Sequence, residues 1–147
     1  MVIRAAGFRQ KAENSEDVAA WLRDLADCPQ VNHTVAAICS NAAHGDEPAN
    51  WFYVEADAEE GIARLRCLAG GHVNELLDSA EHWTFPHVWS CGGCGQSIAE
   101  VVYGIHAEDD VAKWLVVAVR CVECGDLAGV TDIVTSDIAL DELIAQL

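Results

Sequence analysis

Four of the seven cysteines form two pairs with two intervening residues, a spacing typical of metal-binding turns, which we call knuckles. Cys91 and Cys94 stand in SCGGCGQ, Cys121 and Cys124 stand in RCVECGD, and a glycine follows each pair. A tetrahedral ion with metal–sulfur bonds of about 2.3 Å needs two thiolates from one tight turn, and glycine tolerates the positive φ that such a turn demands. The 26 residues between the two pairs can form one β-hairpin, which would bring the knuckles together. The sequence therefore predicts one metal site with four cysteine ligands.

The two knuckles resemble those of the zinc-ribbon family, and the resemblance covers residues 88–134, roughly a third of the chain. It implies a β-hairpin that encloses one structural Zn²⁺ bound by Cys91, Cys94, Cys121 and Cys124. It implies no particular function, because ribbons occur in transcription factors, ribosomal proteins and enzymes. Rubredoxins bind iron with similar turns but usually place a proline after the first cysteine, and neither knuckle has one. A site of four thiolates leaves no position for a catalytic water, so we expect the metal to be structural. Iron, paired disulfides and free thiols are the alternatives.

The first half of the chain carries a weaker version of the pattern. Cys39 precedes His44, and Cys67 precedes His72, each with four intervening residues. These four residues are candidates for a second zinc site. Free cysteines are more often small buried apolar residues, so we expect Cys39 and Cys67 to lie in the core and the histidines to lie at the surface or to be hydrogen-bonded.

Two enzymatic sites are weaker alternatives. His106 and Glu108, taken with Cys121 and Cys124, match the H-x-E and C-x-x-C elements of zinc nucleobase deaminases. Only 12 residues separate Glu108 from Cys121, however, and this site would leave the first knuckle unexplained. We therefore expect His106 to lie on an exposed acidic turn. The CGGC sequence also matches a redox dithiol, but a β-rich run follows it where a thioredoxin-like motif needs a helix. The sequence contains no nucleophile elbow, Walker loop or dinucleotide-binding glycine motif.

Hydrophobic periodicity predicts a helix at the start of the chain and another at its end. Asn14 and Ser15 are candidate N-caps for the first helix, which should stop before Pro29. Ser136 is the candidate cap for the closing helix. The expected buried stripes are Val18, Trp21, Leu22 and Leu25 in the first helix, and Leu140, Leu143, Ile144 and Leu147 in the second.

Between these helices the sequence predicts four strands, at 51–56, 62–68, 97–104 and 113–120, with a short helix from Val73 to Ala80. The predicted fold class is α+β, with two β-hairpin modules and flanking helices. The expected divisions are a helical segment at 1–34, a first hairpin module at 35–86 and the ribbon module at 87–147, in one compact unit. The two hairpins share an acidic turn and an arginine before a cysteine. An internal duplication and a chance similarity explain this likeness equally well. Trp83 and Trp89 are expected to seal the junction of the halves, or else to form an exposed patch for a partner.

The composition narrows the range of functions. The 147 residues include 24 acidic and 8 basic side chains, for a formal charge of −16. Such a chain repels phosphate backbones and anionic membranes, so we expect no direct nucleic-acid or membrane binding. The residues from Met1 to Lys11 lack the apolar stretch of a secretory signal, and paired cysteines of this kind are typical of a reducing compartment, so we expect the cytoplasm. The sequence favours a non-enzymatic binding or adaptor protein with a basic protein partner. The alternatives are a small zinc-dependent enzyme using His106 and Glu108, and a structural subunit of a larger complex.

Overall fold

A computed structural model describes residues 3–6, 9–24, 30–39, 50–57, 62–68, 71, 73–75 and 87–147 of the chain. Most of these residues lie in antiparallel strands, and two short helices accompany them. The general α+β class that the sequence predicts is therefore confirmed. In chain order the elements are β1 (Ile3–Ala6), β2 (Arg9–Ala12), α1 (Ser15–Arg23), β3 (His33–Ala36), β4 (Phe52–Asp57), β5 (Ile62–Cys67), β6 (Val73–Glu75), β7 (His87–Val88), β8 (Ala99–Glu108), β9 (Val111–Cys121), β10 (Leu127–Ala139) and α2 (Leu140–Gln146).

One large sheet joins both halves of the described chain. Its strands lie in the order β10-β9-β8-β4-β5-β6, and β3 and β7 add to β8 and β4. β1 and β2 form a separate hairpin. The halves meet where Phe52 of β4 pairs with Ala99 of β8. Each half has a short strand that pairs with a strand of the other half: β3 pairs with β8, and β7 pairs with β4. In each half three strands that pair in sequence follow the short one, although β6 has only three residues.

The long strands β8 and β9 are buried on both faces, which accounts for their nearly continuous apolar sequence. One face carries Tyr103 and Leu115 in the main core, which also contains residues of β4, β5 and α2. The opposite face carries Val102 and Val116, which share a second core with α1. β9 lies between β8 and β10, as its apolar sequence predicts. The two helices therefore cover opposite faces of the sheet.

Helix α1 begins as the sequence predicts. The Asn14 side chain accepts a hydrogen bond of 3.1 Å from the Asp17 N–H, and the Asp17 carboxylate accepts one of 2.9 Å from the Glu13 N–H. The first bond satisfies a backbone N–H that the first helical turn leaves unpaired, and the second holds the residue before the N-cap in place. Val18 and Leu22 are fully buried against the sheet. The predicted stop at Pro29 lies outside the described residues. No described helix is both long and apolar enough to cross a bilayer.

The closing segment differs from the prediction. β10 extends to Ala139, so Ser136 lies within a strand, and Ala139 occupies the N-cap position of α2 without a side-chain cap. The chain stays extended here because β10 pairs along nearly the whole of β9. α2 is then only seven residues long, with Leu140 and Leu143 buried. Ile144, predicted to face the core, is 37% exposed.

The short helix predicted from Val73 is also wrong at its start. Residues Val73–Glu75 form β6 and pair with β5. Cross-strand charge pairing favours this arrangement, because Arg64 contacts Glu55 of β4 at 2.6 Å and Glu75 of β6 at 3.4 Å. The remainder of that helix, and Trp83, lie outside the described residues. Trp89 packs against the main core from the segment after β7, in keeping with its predicted sealing role.

Candidate metal centre

The sheet brings the two knuckles to one end of the β8–β9 hairpin. Cys121 is the last residue of β9 and pairs with Ala99, the first residue of β8. The segment from β7 carries Cys91 and Cys94 to the same end. Each knuckle is closed by a glycine N–H that donates to the carbonyl of its first cysteine, at 2.8 Å from Gly95 and 2.9 Å from Gly125. Both glycines have the positive φ expected from the sequence, 79° and 83°.

The four sulfur atoms lie within 4.8 Å of one another. Two of the separations cross between the knuckles, at 3.5 Å from Cys91 Sγ to Cys124 Sγ and 3.5 Å from Cys94 Sγ to Cys121 Sγ. Four sulfurs around a tetrahedral ion with 2.3 Å bonds are separated by about 3.8 Å, whereas a disulfide needs about 2.05 Å. The arrangement therefore has the dimensions of one tetrahedral thiolate site. The structure brings together all four cysteines that the sequence pairs, and a metal ion such as zinc fits them.

The surroundings of the sulfurs differ. Cys91 and Cys121 are buried, Cys124 is half-buried and Cys94 is exposed. Burial raises the pKa of Cys121 and raises the pKa of Cys124 to about 12. The backbone N–H of Gln96 lowers the pKa of Cys94. Cys121 and Cys124 therefore hold their protons near neutral pH unless a cation displaces them, which is how structural metals bind thiol sites.

Asp126 is a component of the site that sequence reasoning did not identify. It is 94% buried, and the Cys91 thiol donates to its Oδ2 at 3.6 Å. The residue comes directly after Gly125, so an acidic side chain following the second knuckle was the available signal. Its backbone carbonyl also accepts a bond of 2.9 Å from the Cys121 N–H, which fixes its position. A side chain five residues after a knuckle's first cysteine can therefore reach the opposite knuckle.

The second knuckle is also fastened to the amino-terminal hairpin. The Ala12 N–H donates to the Gly125 carbonyl at 2.8 Å, and the Arg120 side chain donates to the Ala12 carbonyl at 2.9 Å. Arg120 also contacts Glu100 at 3.5 Å. The end of β2 therefore supports the turn that carries Cys121 and Cys124.

The deaminase-like alternative is wrong in its geometry. His106 pairs with Trp114 on β9, seven residues before Cys121. Seven residues of extended strand span about 23 Å, so His106 and Cys121 lie at opposite ends of the hairpin. His106 is also not on the acidic turn. It lies within β8, with Nδ1 2.7 Å from the Gln30 carbonyl and Nε2 3.3 Å from the Glu108 carboxylate.

The structure also describes the CGGC motif and two of the four residues of the candidate second zinc site. The residues after Cys94 lead into β8 without a helix, as expected for a metal knuckle rather than a redox dithiol. Cys67 is buried in the main core and Cys39 packs against that core, as predicted. His44 and His72 lie outside the described residues.

Comparisons with protein-family models, with curated proteins and with solved structures find no match to the chain. Any functional assignment must therefore come from the chemistry of this chain.

Proposed function

We propose that Cys91, Cys94, Cys121 and Cys124 bind one Zn²⁺ in a zinc-ribbon-like site with a structural role. The observation that supports this most directly is the approach of all four sulfurs to within 4.8 Å of one another. Thiolates are soft ligands, and four of them in a tetrahedral set suit zinc. With all four positions taken, the ion has no place for a water or substrate. Its contribution is to folding, on the order of 10 kcal/mol near neutral pH.

The four cysteines can bind a metal only if their thiols stay reduced. Four thiols at these separations would be open to oxidation if they were not bound, and disulfides persist mainly in oxidising compartments. We therefore place the protein in the cytoplasm.

The wider role that we propose is non-enzymatic binding of a basic protein partner. The chain carries a formal charge of −16, so its field attracts cationic surfaces and repels phosphate backbones. The turn between β8 and β9 illustrates this character, because Glu108, Asp109 and Asp110 are exposed together at its tip. The separation of His106 and Glu108 from the cysteines removes the sequence-based argument for a zinc enzyme.

Metal analysis of the purified chain, prepared under reducing conditions, tests the metal assignment. The parent protein should contain zinc, and Cys124→Ser should lose one zinc per chain relative to the parent. Cys28→Ser is the matched control, because it removes a cysteine outside the knuckles. Cobalt substitution gives a second readout, since sulfur-to-cobalt charge-transfer bands report the thiolate ligands directly. An unchanged zinc count in Cys124→Ser would refute the four-cysteine assignment, and iron in the parent would refute zinc.

Affinity purification from the native host, followed by mass spectrometry, tests the binding role. The recovered partner should be basic, and its retention should fall steeply as salt is raised from low to physiological ionic strength. A partner that is acidic, or whose binding is insensitive to salt, would refute the electrostatic part of the proposal.

A further inference from the structure

We propose that the exposed sulfur of Cys94 is a site of reversible oxidation, at which a hydroperoxide drives formation of a Cys94–Cys121 disulfide and release of the bound ion. The inference rests on the four-cysteine metal site proposed above and assigns it a form of regulation. Three features of the described residues support it: the unequal exposure of the four sulfurs, a short distance between the knuckles, and the sparse packing of the first knuckle.

The four knuckle cysteines differ in their access to solvent. Cys94 is exposed. Cys91 and Cys121 are 3% and 0% exposed, and Cys124 is half-buried. The two described cysteines outside the knuckles are not exposed either. Oxidation of cysteine is selective for exposed thiolates, and a metal-bound sulfur is a thiolate. Metal binding therefore protects the buried sulfurs but leaves Cys94 in contact with an oxidant from solvent.

Cys94 faces a partner sulfur on the second knuckle. Its Sγ lies 3.5 Å from the Cys121 Sγ. A disulfide needs about 2.05 Å, so the two sulfurs must approach by about 1.5 Å. Cys91 and Cys124 are also 3.5 Å apart, but neither is exposed, and the Cys91 thiol donates to the buried Asp126 carboxylate at 3.6 Å. The first disulfide should therefore join Cys94 to Cys121.

The first knuckle can supply this movement at little cost. Residues 92–96 are all exposed and three of them are glycines, so few packed side chains resist a shift. The second knuckle is held more firmly. The Cys121 N–H donates to the Asp126 carbonyl at 2.9 Å, and the Gly125 N–H donates to the Cys121 carbonyl at 2.9 Å. We therefore expect Cys94 to move toward Cys121 rather than the reverse.

The reaction takes two electrons from the two sulfurs. The Cys94 thiolate attacks one oxygen of hydrogen peroxide, which forms a sulfenic acid, breaks the O–O bond and releases hydroxide. The Cys121 thiolate then attacks the Cys94 sulfur, which forms the S–S bond, breaks the S–O bond and releases a second hydroxide. Two protons from solvent convert the hydroxides to water. Two thiolates and one peroxide thus become one disulfide and two water molecules.

The disulfide removes one ligand from each knuckle. Only Cys91 and Cys124 remain, and two thiolates do not complete the tetrahedral set that zinc requires. The ion should therefore dissociate, and the new bond should join the knuckles in its place. A Cys94–Cys121 bond closes a loop of 28 residues, whereas a bond within one knuckle closes a loop of four. The longer loop restricts the unfolded chain more, so the oxidised protein without metal should be more stable than the reduced protein without metal.

The test treats the zinc-loaded full chain, freed of reducing agent, with one equivalent of hydrogen peroxide and follows the released zinc with a chromogenic chelator. We expect release of one zinc ion per chain, and recovery of the bound ion after dithiothreitol and zinc are added. Cys39→Ser is the matched control, because it removes a cysteine outside the knuckles. It should release zinc at the rate of the parent.

Tryptic digestion of the product, after free thiols are alkylated, identifies the bond. Cleavage after Arg66, Lys113 and Arg120 places Cys94 in the peptide 67–113 and Cys121 in the peptide 121–147. A bond between the knuckles joins these two peptides, whereas a bond within either knuckle leaves them separate. Fragmentation of the joined pair should locate the bond at Cys94 and Cys121. Urea unfolding then compares the oxidised protein with reduced protein stripped of metal by a chelator, and the oxidised protein should have the higher midpoint.

The outcomes separate this inference from the metal assignment. A parent without zinc refutes the four-cysteine site and this inference with it. A parent that contains zinc and keeps it after peroxide, or that forms its first disulfide at another pair, overturns the inference alone. Zinc loss that dithiothreitol does not reverse, or an oxidised protein with the lower urea midpoint, also overturns it and leaves the metal site intact. None of these measurements on the parent requires a variant to fold.

Discussion

Replacing the two knuckle glycines with alanine gives a direct test of the metal centre's architecture, because the positions share a backbone conformation and differ in surroundings. Gly95 and Gly125 have φ of 79° and 83°. A Cβ at Gly95 would meet nothing within 4 Å, whereas a Cβ at Gly125 would lie 2.7 Å from the Ala12 carbonyl oxygen. Gly95→Ala is thus the matched control for Gly125→Ala.

The expected costs follow from these contacts. Placing alanine in the left-handed region costs about 1 kcal/mol at either position. At Gly125 the Ala12 backbone must also move, which weakens the 2.8 Å bond from the Ala12 N–H and the 2.9 Å bond from Arg120 to the Ala12 carbonyl. At about 1 kcal/mol for each bond, the total for Gly125→Ala is about 3 kcal/mol. For a chain of this size these losses correspond to melting points lower by about 3 °C and about 9 °C.

Thermal and urea unfolding of the metal-loaded proteins measures the difference, with metal content determined for each sample so that equal occupancy is compared. The reasoning requires Gly125→Ala to lose clearly more stability than Gly95→Ala. Equal losses, or a larger loss at Gly95, would show that the amino-terminal hairpin does not support the second knuckle.

Substitutions at three further positions probe the fold that positions the site. Tyr103→Phe should raise the free energy of unfolding by about 1 kcal/mol, because the buried hydroxyl has no hydrogen-bond partner among the described residues; a urea midpoint below that of the parent would contradict this. Glu55→Gln should cost about 1 kcal/mol at pH 7, since the Arg64 hydrogen bond lowers the pKa of Glu55 below its ordinary 4.5. The ionised carboxylate therefore stabilises the fold above that pH, and the difference between Glu55→Gln and the parent should shrink as the pH falls below 4.5 and not as it rises. Asn32→Ala should cost about 2 kcal/mol by removing bonds of 2.8 and 2.9 Å to the Ala107 backbone, and Asn32→Asp, which keeps only the acceptor, should fall between it and the parent in urea unfolding.

The cluster of four cysteines could be predicted from the sequence because metal-binding turns impose local constraints. Two thiolates on one turn require close spacing along the chain, and the turn requires glycine at a fixed place, so the pattern is visible without knowledge of the fold. Apolar strands such as β8 and β9 were also recognisable, because burial on both faces leaves few polar residues. Asp126 was not identified, since its approach to Cys91 depends on how the two knuckles pack together.

The long strand β10 could not be predicted, for a physical reason visible in its pairing. The register with β9 shifts between Gly129 and Thr131 and again between Val134 and Ile138. Asp137, within the second shift, has φ of 59°. The first shift adds one residue to β10 and so reverses the faces to which the following side chains point, and the second adds two residues that have no partner in the register. The alternation of apolar and polar residues that marks a half-buried strand is therefore broken. Sequence periodicity therefore favoured a helix capped by Ser136, where the chain is extended as far as Ala139.

The two knuckles are unequally supported, so a bound metal would add most to the ordering of the first one. The second knuckle has backbone bonds to β2 and follows directly from β9, so packing and hydrogen bonds hold much of it in place. Residues 92–96 of the first knuckle are all exposed and include three glycines, so they contribute almost no apolar surface to the core. Burial of side chains cannot order such a segment against the backbone entropy of its glycines. Coordination of Cys91 and Cys94 would order it, because bonds to an ion would tie the segment to Cys121 and Cys124, which the sheet already holds.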